Sequence, residues 1–361
     1  MKSLAPAKTG LLLINLGTPA APTAEAVGPY LSEFLMDPFV IDIPKALRWI
    51  LVNLLIIPKR KYTSAEAYKT IWTKRGSPLL FHLLDLTEAV RNELGHRWVV
   101  EPAMRYGNPS IKAALEKLKS AGLSEIVVLP LYPQYAESST RSSLDKVRTE
   151  LSALEWNPKL RIISSFHDDV GHIDAWVNLM RSQIAPDSHV LFSYHGLPER
   201  HLKKADPTGS YCLDGGTPTR AESAVRKYEC CEKALLNRCP ANQTCYRAQS
   251  LETTRLIVAK LGLLPDQWSM SFQSRLGRTP WIKPYTDEVI PQLAAKGIKS
   301  LTVVTPSFTA DCLETIEEIG DRAREMFLHS GGQSFTRIEC LNTNADWVRA
   351  VAKMARAFTG T

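Results

Sequence analysis

Residues His189–Pro198 read HVLFSYHGLP, an apolar strand-like run that carries His195 to its carboxyl end before Gly196 and Pro198 break the pattern. The same design occurs once more, in GLLLINLGTP at Gly10–Pro19. A second pair of segments repeats at nearly the same offset: GLSEIVVLPLYPQYAESST (Gly122–Thr140) and GIKSLTVVTPSFTADCLET (Gly297–Thr315). Two coincidences about 175–180 residues apart indicate two α/β halves of similar topology. Strands are predicted at Leu11–Asn15, Trp98–Met104, Glu125–Leu129, Arg161–Ser165, Val190–Ser193, Gln267–Phe272, Ser300–Thr305 and Ser334–Glu339. Helical patterns lie between them, as at Ser110–Ala121 and Asp287–Lys296. This βαβα alternation calls for parallel sheets wound by helices, in which ligands bind beyond the carboxyl ends of the strands. Asn15, Arg105, Tyr132, His195, Gln273 and Phe308 all end or follow predicted strands.

A chain of 361 residues can bury two cores, and its 44% apolar and 22% charged residues are ordinary for globular protein. The net charge of +7 admits acidic partners such as anionic lipid, a carboxylated ligand or nucleic acid, and equally a plain solvated basic surface. The start, MKSLAPAKTGLLLINLGTP, has too short an apolar run for a secretory signal, and WILVNLLIIP (Trp49–Pro58) covers only about half a membrane span. A soluble or membrane-surface protein in a reducing compartment is expected. No G-x-G-x-x-G follows Leu11–Asn15, which argues against a nucleotide site there.

Four groups of residues suggest chemistry. An imidazole titrates near neutrality, so His195 suits a proton acceptor, although a packed histidine fits the same pattern. In TPSFTADCLETIEEIGD (Thr305–Asp321) a helix is predicted to begin near Asp311. Asp311, Glu314 and Glu318 would then share one face, able to hold a hydrated metal ion or pass protons, or simply to favour the helix dipole. In AMRYGNPS (Ala103–Ser110), Arg105 can grip a ligand carboxylate or pair with a local acid. In Tyr30–Arg75, Leu47, Trp49, Ile50, Leu51, Leu54, Leu55, Ile56 and Ile57 stand among Lys45, Arg48, Lys59, Arg60, Lys61, Lys69, Lys74 and Arg75. That mixture fits an anionic membrane surface, the lip of a pocket for a large apolar anion, or an amphipathic core helix.

Five of the seven cysteines, Cys212, Cys230, Cys231, Cys239 and Cys245, cluster with the spacing C-x17-C-C-x7-C-x5-C. In a reducing compartment such clustering favours metal over disulfides. The spacing alone leaves an iron–sulfur cluster, zinc and free thiols open.

Taken together, LLLINLGTP, GSPLL (Gly76–Leu80), MRYGNP, YPQYAESSTRSSL (Tyr132–Leu144), SYHGLP, FQSRLGRTPWIKPYTDE (Phe272–Glu288) and FTADCLET resemble the ferrochelatases over nearly the whole chain. The resemblance implies a lyase of haem biosynthesis that inserts Fe²⁺ into a porphyrin, protoporphyrin IX being favoured. It implies an α/β fold of two Rossmann-like, chelatase-type domains whose parallel sheets face each other across a cleft. The corresponding divisions are 1–160, with a hydrophobic lip at about 30–62; 161–335, with a cysteine-rich insertion at about 205–246; and 336–361, a strand and helix packing back on the N-terminal domain.

By the same resemblance His195, Glu314 and Glu318 match the catalytic positions, with His195 and Glu314 also meeting the substrate iron. Asn15, Leu16, Arg105, Tyr106, Trp281 and Phe308 match the porphyrin pocket. Two departures stand out: Cys312 occupies a position where many members have a second histidine, and Glu137 occupies a cluster-cysteine position of animal-type members, whose C-terminal cysteine extension is not expected here. Some bacterial members carry cysteines in an insertion after HGLP, so four of the five clustered cysteines are expected to hold [2Fe–2S]. The implied partners are porphyrin and ferrous iron, with peripheral contact to an anionic inner-membrane surface and no nucleic acid. The protein is expected to be cytoplasmic, as a monomer or homodimer. The alternatives are a non-catalytic tetrapyrrole or metal-binding module, and a chelatase for a cobalamin or sirohaem precursor, ligands more heavily carboxylated than this greasy lip suits.

Overall fold

The computed structural model describes residues 8–209, 243–277 and 279–358. The chain divides into two compact units. One contains the chain up to Tyr132, Glu137–Ser165 and the segment from Asn342; the other contains Pro133–Ala136 and Phe166–Leu341.

The first unit is built on four parallel strands, β1 (Thr9–Gly17), β2 (Trp98–Tyr106), β3 (Glu125–Pro130) and β4 (Lys159–Ile162), in the order β2-β1-β3-β4. Leu11, Leu12, Leu13 and Ile14 of β1 are all fully buried, as a central parallel strand covered by helices on both faces requires. The helix Ile111–Ser120 packs Ile111, Ala114, Leu115 and Leu118 against that sheet, and Ser110 caps it by accepting a hydrogen bond from the Ala113 N–H.

The second unit repeats the plan with β5 (His189–His195), β6 (Trp268–Gln273), β7 (Ser300–Val304) and β8 (Ser334–Arg337), ordered β6-β5-β7-β8. Its strand order is that of the first sheet, strand for strand, as the internal repeat predicts. Each repeat also leads from its third strand into π-helical winding, at Glu137–Arg141 and at Glu314–Ala323. Such i→i+5 segments are rare and concentrate at functional sites.

Three boundaries differ from expectation. The edge strand β4 begins two residues early, because Lys159 and Arg161 both pair with Glu125 on β3 and the Lys159 N–H donates to the Ser124 carbonyl. Strand β8 stops at Arg337, whose guanidinium turns to Asp311. It belongs to the second sheet, so of the C-terminal strand and helix only the helix, Ala345–Ala357, packs in the first unit. There it lies on the helix Pro78–Leu94, with Arg356 donating to the Glu93 carbonyl at 2.7 Å.

Third, the helix after β7 does not begin at Asp311. That residue lies ahead of it, buried, and accepts hydrogen bonds from Arg337 Nη1 at 2.6 Å and Thr315 Oγ1 at 2.9 Å. Asp311 is therefore an internal ion-pair partner and does not join Glu314 and Glu318 in an acidic row.

Buried histidines contribute to the acid response of the second unit. His172 Nε2 accepts from the Trp176 indole N–H at 3.1 Å, and burial pushes this imidazole from 6.5 down to about 3. Burial also lowers His189. Across that interval the unfolded chain binds more protons than the folded one, so stability rises with pH and is lost as pH falls from about 6.5 towards 3. His172 alone contributes up to about 1.4 kcal/mol per pH unit. Urea midpoints should fall steeply between about pH 7 and pH 5, and His172→Gln should flatten that slope.

Candidate active site

In the second unit the sequence-selected residues converge at the carboxyl ends of β5, β6 and β7. His195 is the last residue of β5, opposite Gln273 at the end of β6. Its backbone N–H donates to Ser307 Oγ at 3.1 Å. Gly196 then turns the chain so closely that a Cβ would stand 2.7 Å from the Gln273 carbonyl oxygen and 3.2 Å from the Trp281 ring. No larger residue fits there without displacing β6. His195 Nδ1 lies 2.6 Å from the Gly196 carbonyl oxygen, which can only accept. In the neutral ring Nδ1 therefore carries the proton and Nε2 the lone pair.

The half-buried imidazole is flanked by two rings, Trp281 with centroids 6.5 Å apart and Phe308 at 6.2 Å. Trp281 is fixed by its indole N–H to the Leu276 carbonyl at 2.9 Å and by Tyr285 Oη, which donates to the Trp281 carbonyl at 3.1 Å.

Glu314 and Glu318 sit four residues apart on the π-helix, both partly exposed. The Glu318 carboxylate accepts from the Ser274 N–H at 2.8 Å, from Ser274 Oγ and from Gln273 Nε2 at 3.3 Å. Ser274 presents both groups from a left-handed conformation, φ 65°. Gln273 Nε2 also donates to the Glu314 carbonyl at 3.0 Å. Gln273 thus touches the strand of the histidine and the helix of the carboxylates at once. Beside them Cys312 is buried, and burial together with the Glu314 charge pushes its thiol well above the usual range. At neutral pH with no metal bound it is a protonated thiol.

In the first unit Asn15 and Leu16 end β1, and the Asn15 side chain accepts from the Leu16 N–H at 2.8 Å. Arg105 and Tyr106 end β2 and both turn to Asp37. Arg105 Nη2 and Tyr106 Oη, at 2.8 Å, donate to Asp37 Oδ2, as does Ser142 Oγ at 2.6 Å. Arg105 Nε donates to Ser142 Oγ at 2.7 Å. Burial, then the Asp37 charge, raises the Tyr106 phenol far above its ordinary value. The guanidinium held in reserve for a ligand is bound to a buried internal carboxylate. Asp37, in LMDPF, carries no local signal that marks it as that partner.

The ferrochelatase family model matches residues 8–358. The chain belongs to the ferrochelatase family. The ferrochelatase of Stutzerimonas stutzeri (strain A1501) is 44% identical over 348 residues, 95% of this chain and 96% of that one. That of Coxiella burnetii (strain Dugway 5J108-111) is 46% identical over 352 residues, 97% and 93% of the two chains. Among solved structures, SirB from Bacillus subtilis with Fe³⁺ superposes with a TM-score of 0.52 at 12% identity, covering 97% of this chain and 95% of its own. The sirohydrochlorin chelatase SirB from Bacillus subtilis subspecies spizizenii in complex with cobalt gives 0.53 at 10% identity, covering 98% and 96%. These two likenesses speak for the fold alone. As a ferrochelatase the protein is a metal-inserting enzyme of haem synthesis, and the non-catalytic binding module is not favoured.

Of the lip predicted at about 30–62, the part from Lys45 lies on one continuous helical run through Lys45–Ile50, π-helical Leu51–Ile56 and Ile57–Ile71. Leu47, Trp49, Ile50, Leu54, Leu55 and Tyr62 are exposed on it, while Val52, Ala65, Tyr68 and Ile71 face inward. Arg48 is buried and donates through Nη1 to the Ile41 carbonyl at 2.8 Å and the Ile43 carbonyl at 3.3 Å, so it does not belong to the basic rim. Among the described residues no helix is long and apolar enough to cross a membrane.

Of the clustered cysteines, Cys212, Cys230, Cys231 and Cys239 lie outside the described residues; Cys245 is buried at the start of the helix Tyr246–Leu261. Among the described residues no group of three or more His, Cys, Asp and Glu side chains is placed to hold a metal ion.

Proposed function

We propose that the enzyme inserts ferrous iron into protoporphyrin IX with His195 Nε2 as acceptor of the pyrrole protons. The observation that carries this reading is the Gly196 carbonyl at Nδ1, which fixes a lone pair on the imidazole nitrogen remote from the backbone, between the rings of Trp281 and Phe308. Insertion removes two N–H protons and requires four nitrogen lone pairs to face the incoming ion. A flat macrocycle directs them inward, and bending exposes them at a strain of roughly 1–5 kcal/mol, met by binding elsewhere. Burial of a large apolar ring against Trp281 and Phe308 supplies that energy at about 25 cal/mol per Å². Glu314 and Glu318 carry protons away or guide the metal, and His195 and Glu314 meet the iron. In the first unit Asn15, Arg105 and Tyr106 are assigned to porphyrin contact, the last two held by Asp37.

The exposed apolar lip favours a porphyrin with few carboxylates. Comparison of kcat/KM should therefore rank protoporphyrin above coproporphyrin, and a reversed order would overturn this choice of substrate. The same lip, beside Lys59, Arg60 and Lys61, suits peripheral contact with an anionic membrane on the cytoplasmic side.

Four of Cys212, Cys230, Cys231, Cys239 and Cys245 hold a [2Fe–2S] cluster. Buried Cys245 at a helix start is the described residue that fits, since a helix N-terminus favours a thiolate. When bound, such a cluster supplies one-electron redox chemistry or a purely structural tie. Protein purified without air should be reddish-brown, with iron and acid-labile sulfide near about two each per chain. Colourless protein with stoichiometric zinc would assign the cysteines to zinc instead.

A further inference from the structure

Behind His195 lie three buried hydroxyls that the reaction does not use, those of Ser193, Ser271 and Thr286. Ser193 Oγ donates to Gln273 Oε1 at 2.8 Å. Thr286 Oγ1 stands 3.0 Å from Ser193 Oγ and 2.8 Å from Ser271 Oγ. A hydroxyl has one hydrogen to give. That of Ser193 goes to Gln273, so Ser193 must accept from Thr286. The Thr286 hydrogen is then taken, and Ser271 must donate to Thr286. The chain has one direction, Ser271 to Thr286 to Ser193 to Gln273 Oε1, and it ends by aiming the amide nitrogen of Gln273 at the π-helix. There it meets the Glu314 carbonyl and the Glu318 carboxylate. The reversed amide would set its oxygen against those two acceptors, leaving a buried polar group unsatisfied.

We propose that Gln273 is a positioning residue for metal insertion, holding the Glu314–Glu318 turn in place relative to His195, with its amide oxygen held by the Ser193 hydroxyl. Its backbone carbonyl accepts from the Gly196 N–H at 2.8 Å, so one residue fixes both the end of the histidine strand and the start of the acidic helix. The proposal rests on the reading in which Glu314 and Glu318 serve the reaction. Small displacements of reacting groups cost rate more than they cost binding.

The test is a double-mutant cycle read as kcat and porphyrin KM, on variants shown by circular dichroism to be folded at the assay temperature. Gln273→Met should lower kcat by about a hundredfold and Ser193→Ala by about tenfold, each with KM within about twofold of wild type. Because Ser193 acts through Gln273, the double variant should be no slower than Gln273→Met alone. Ser271→Ala leaves the two downstream donations intact and should keep the wild-type kcat, whereas a merely structural role would make it as harmful as Ser193→Ala. Multiplicative losses in the double variant, or a wild-type kcat in Gln273→Met, overturn the proposal, and the Gln273→Met result decides even if Ser193→Ala fails to fold. Glu314→Gln, run in parallel, separates the two levels. Near-normal turnover there removes the underlying reading, while an inactive Glu314→Gln beside a normal Gln273→Met removes this inference alone.

Discussion

Asp37→Ala should destabilise the protein by about 3–5 kcal/mol, the cost of breaking a buried ion pair from one side. The Asp37 side chain is 1% exposed and that of Arg105 13%. The carboxylate accepts from Arg105, Tyr106 and Ser142 through Oδ2 and from the Phe39 N–H through Oδ1 at 2.8 Å. Its removal strands a guanidinium, two hydroxyls and a backbone N–H in a site that water does not reach. Domains are commonly stable by only about 5–15 kcal/mol, so the loss should appear as a large fall in the urea midpoint. Pairing Asp37→Leu with Arg105→Met should recover much of it, because neither member then leaves a buried charge alone. A shift below about 1 kcal/mol in Asp37→Ala would show that Arg105 finds equivalent partners and that the cluster does not brace the end of β2.

The architecture was readable because parallel strands buried on both faces write themselves as unbroken apolar runs, such as LLLIN in β1 and VLFSY in β5. The matching strand order of the two sheets follows the repeat at Gly10 and His189, which gives Leu16 and His195 equivalent places in the two halves. What failed was boundary detail governed by side-chain pairing. The start of β4 depends on Glu125 and the end of β8 on Asp311, and neither contact is visible in a local window. The π-helical winding at Glu314–Ala323 was also unreadable, since a three- and four-residue spacing of acids fits α and π turns alike.

At the site, His195 and Phe308 were legible as residues ending or following strands and Trp281 only through the family resemblance, and the three lie together. Glu314 and Glu318 were legible as a carboxylate pair, but Asp311 was wrongly grouped with them. Its partner Arg337 is far away in sequence, so the spacing could not reveal the ion pair. Asp37 and the Ser193–Thr286–Ser271 chain escaped notice for the same reason, because buried polar residues identify themselves only through contacts made across the fold. Arg48 erred in the opposite direction: it reads as part of a basic rim, yet it caps two carbonyls from inside.

His195→Ala should lower metal insertion by about 10²–10⁴-fold, the range for removal of a positioned proton acceptor. On the proposed reading its neighbours hold the ring ready to take a proton. Gly196 fixes its tautomer, Ser307 receives the backbone N–H, and Trp281 and Phe308 flank it. Alanine removes the base without touching a core contact of β5, so the fold should survive. The direct measurement is haem formation without air from Fe²⁺ and protoporphyrin, expressed per molecule of porphyrin bound, for wild type and His195→Ala side by side. The account predicts that the variant still binds porphyrin while its insertion rate falls by at least about a hundredfold; equal rates per bound porphyrin would contradict it.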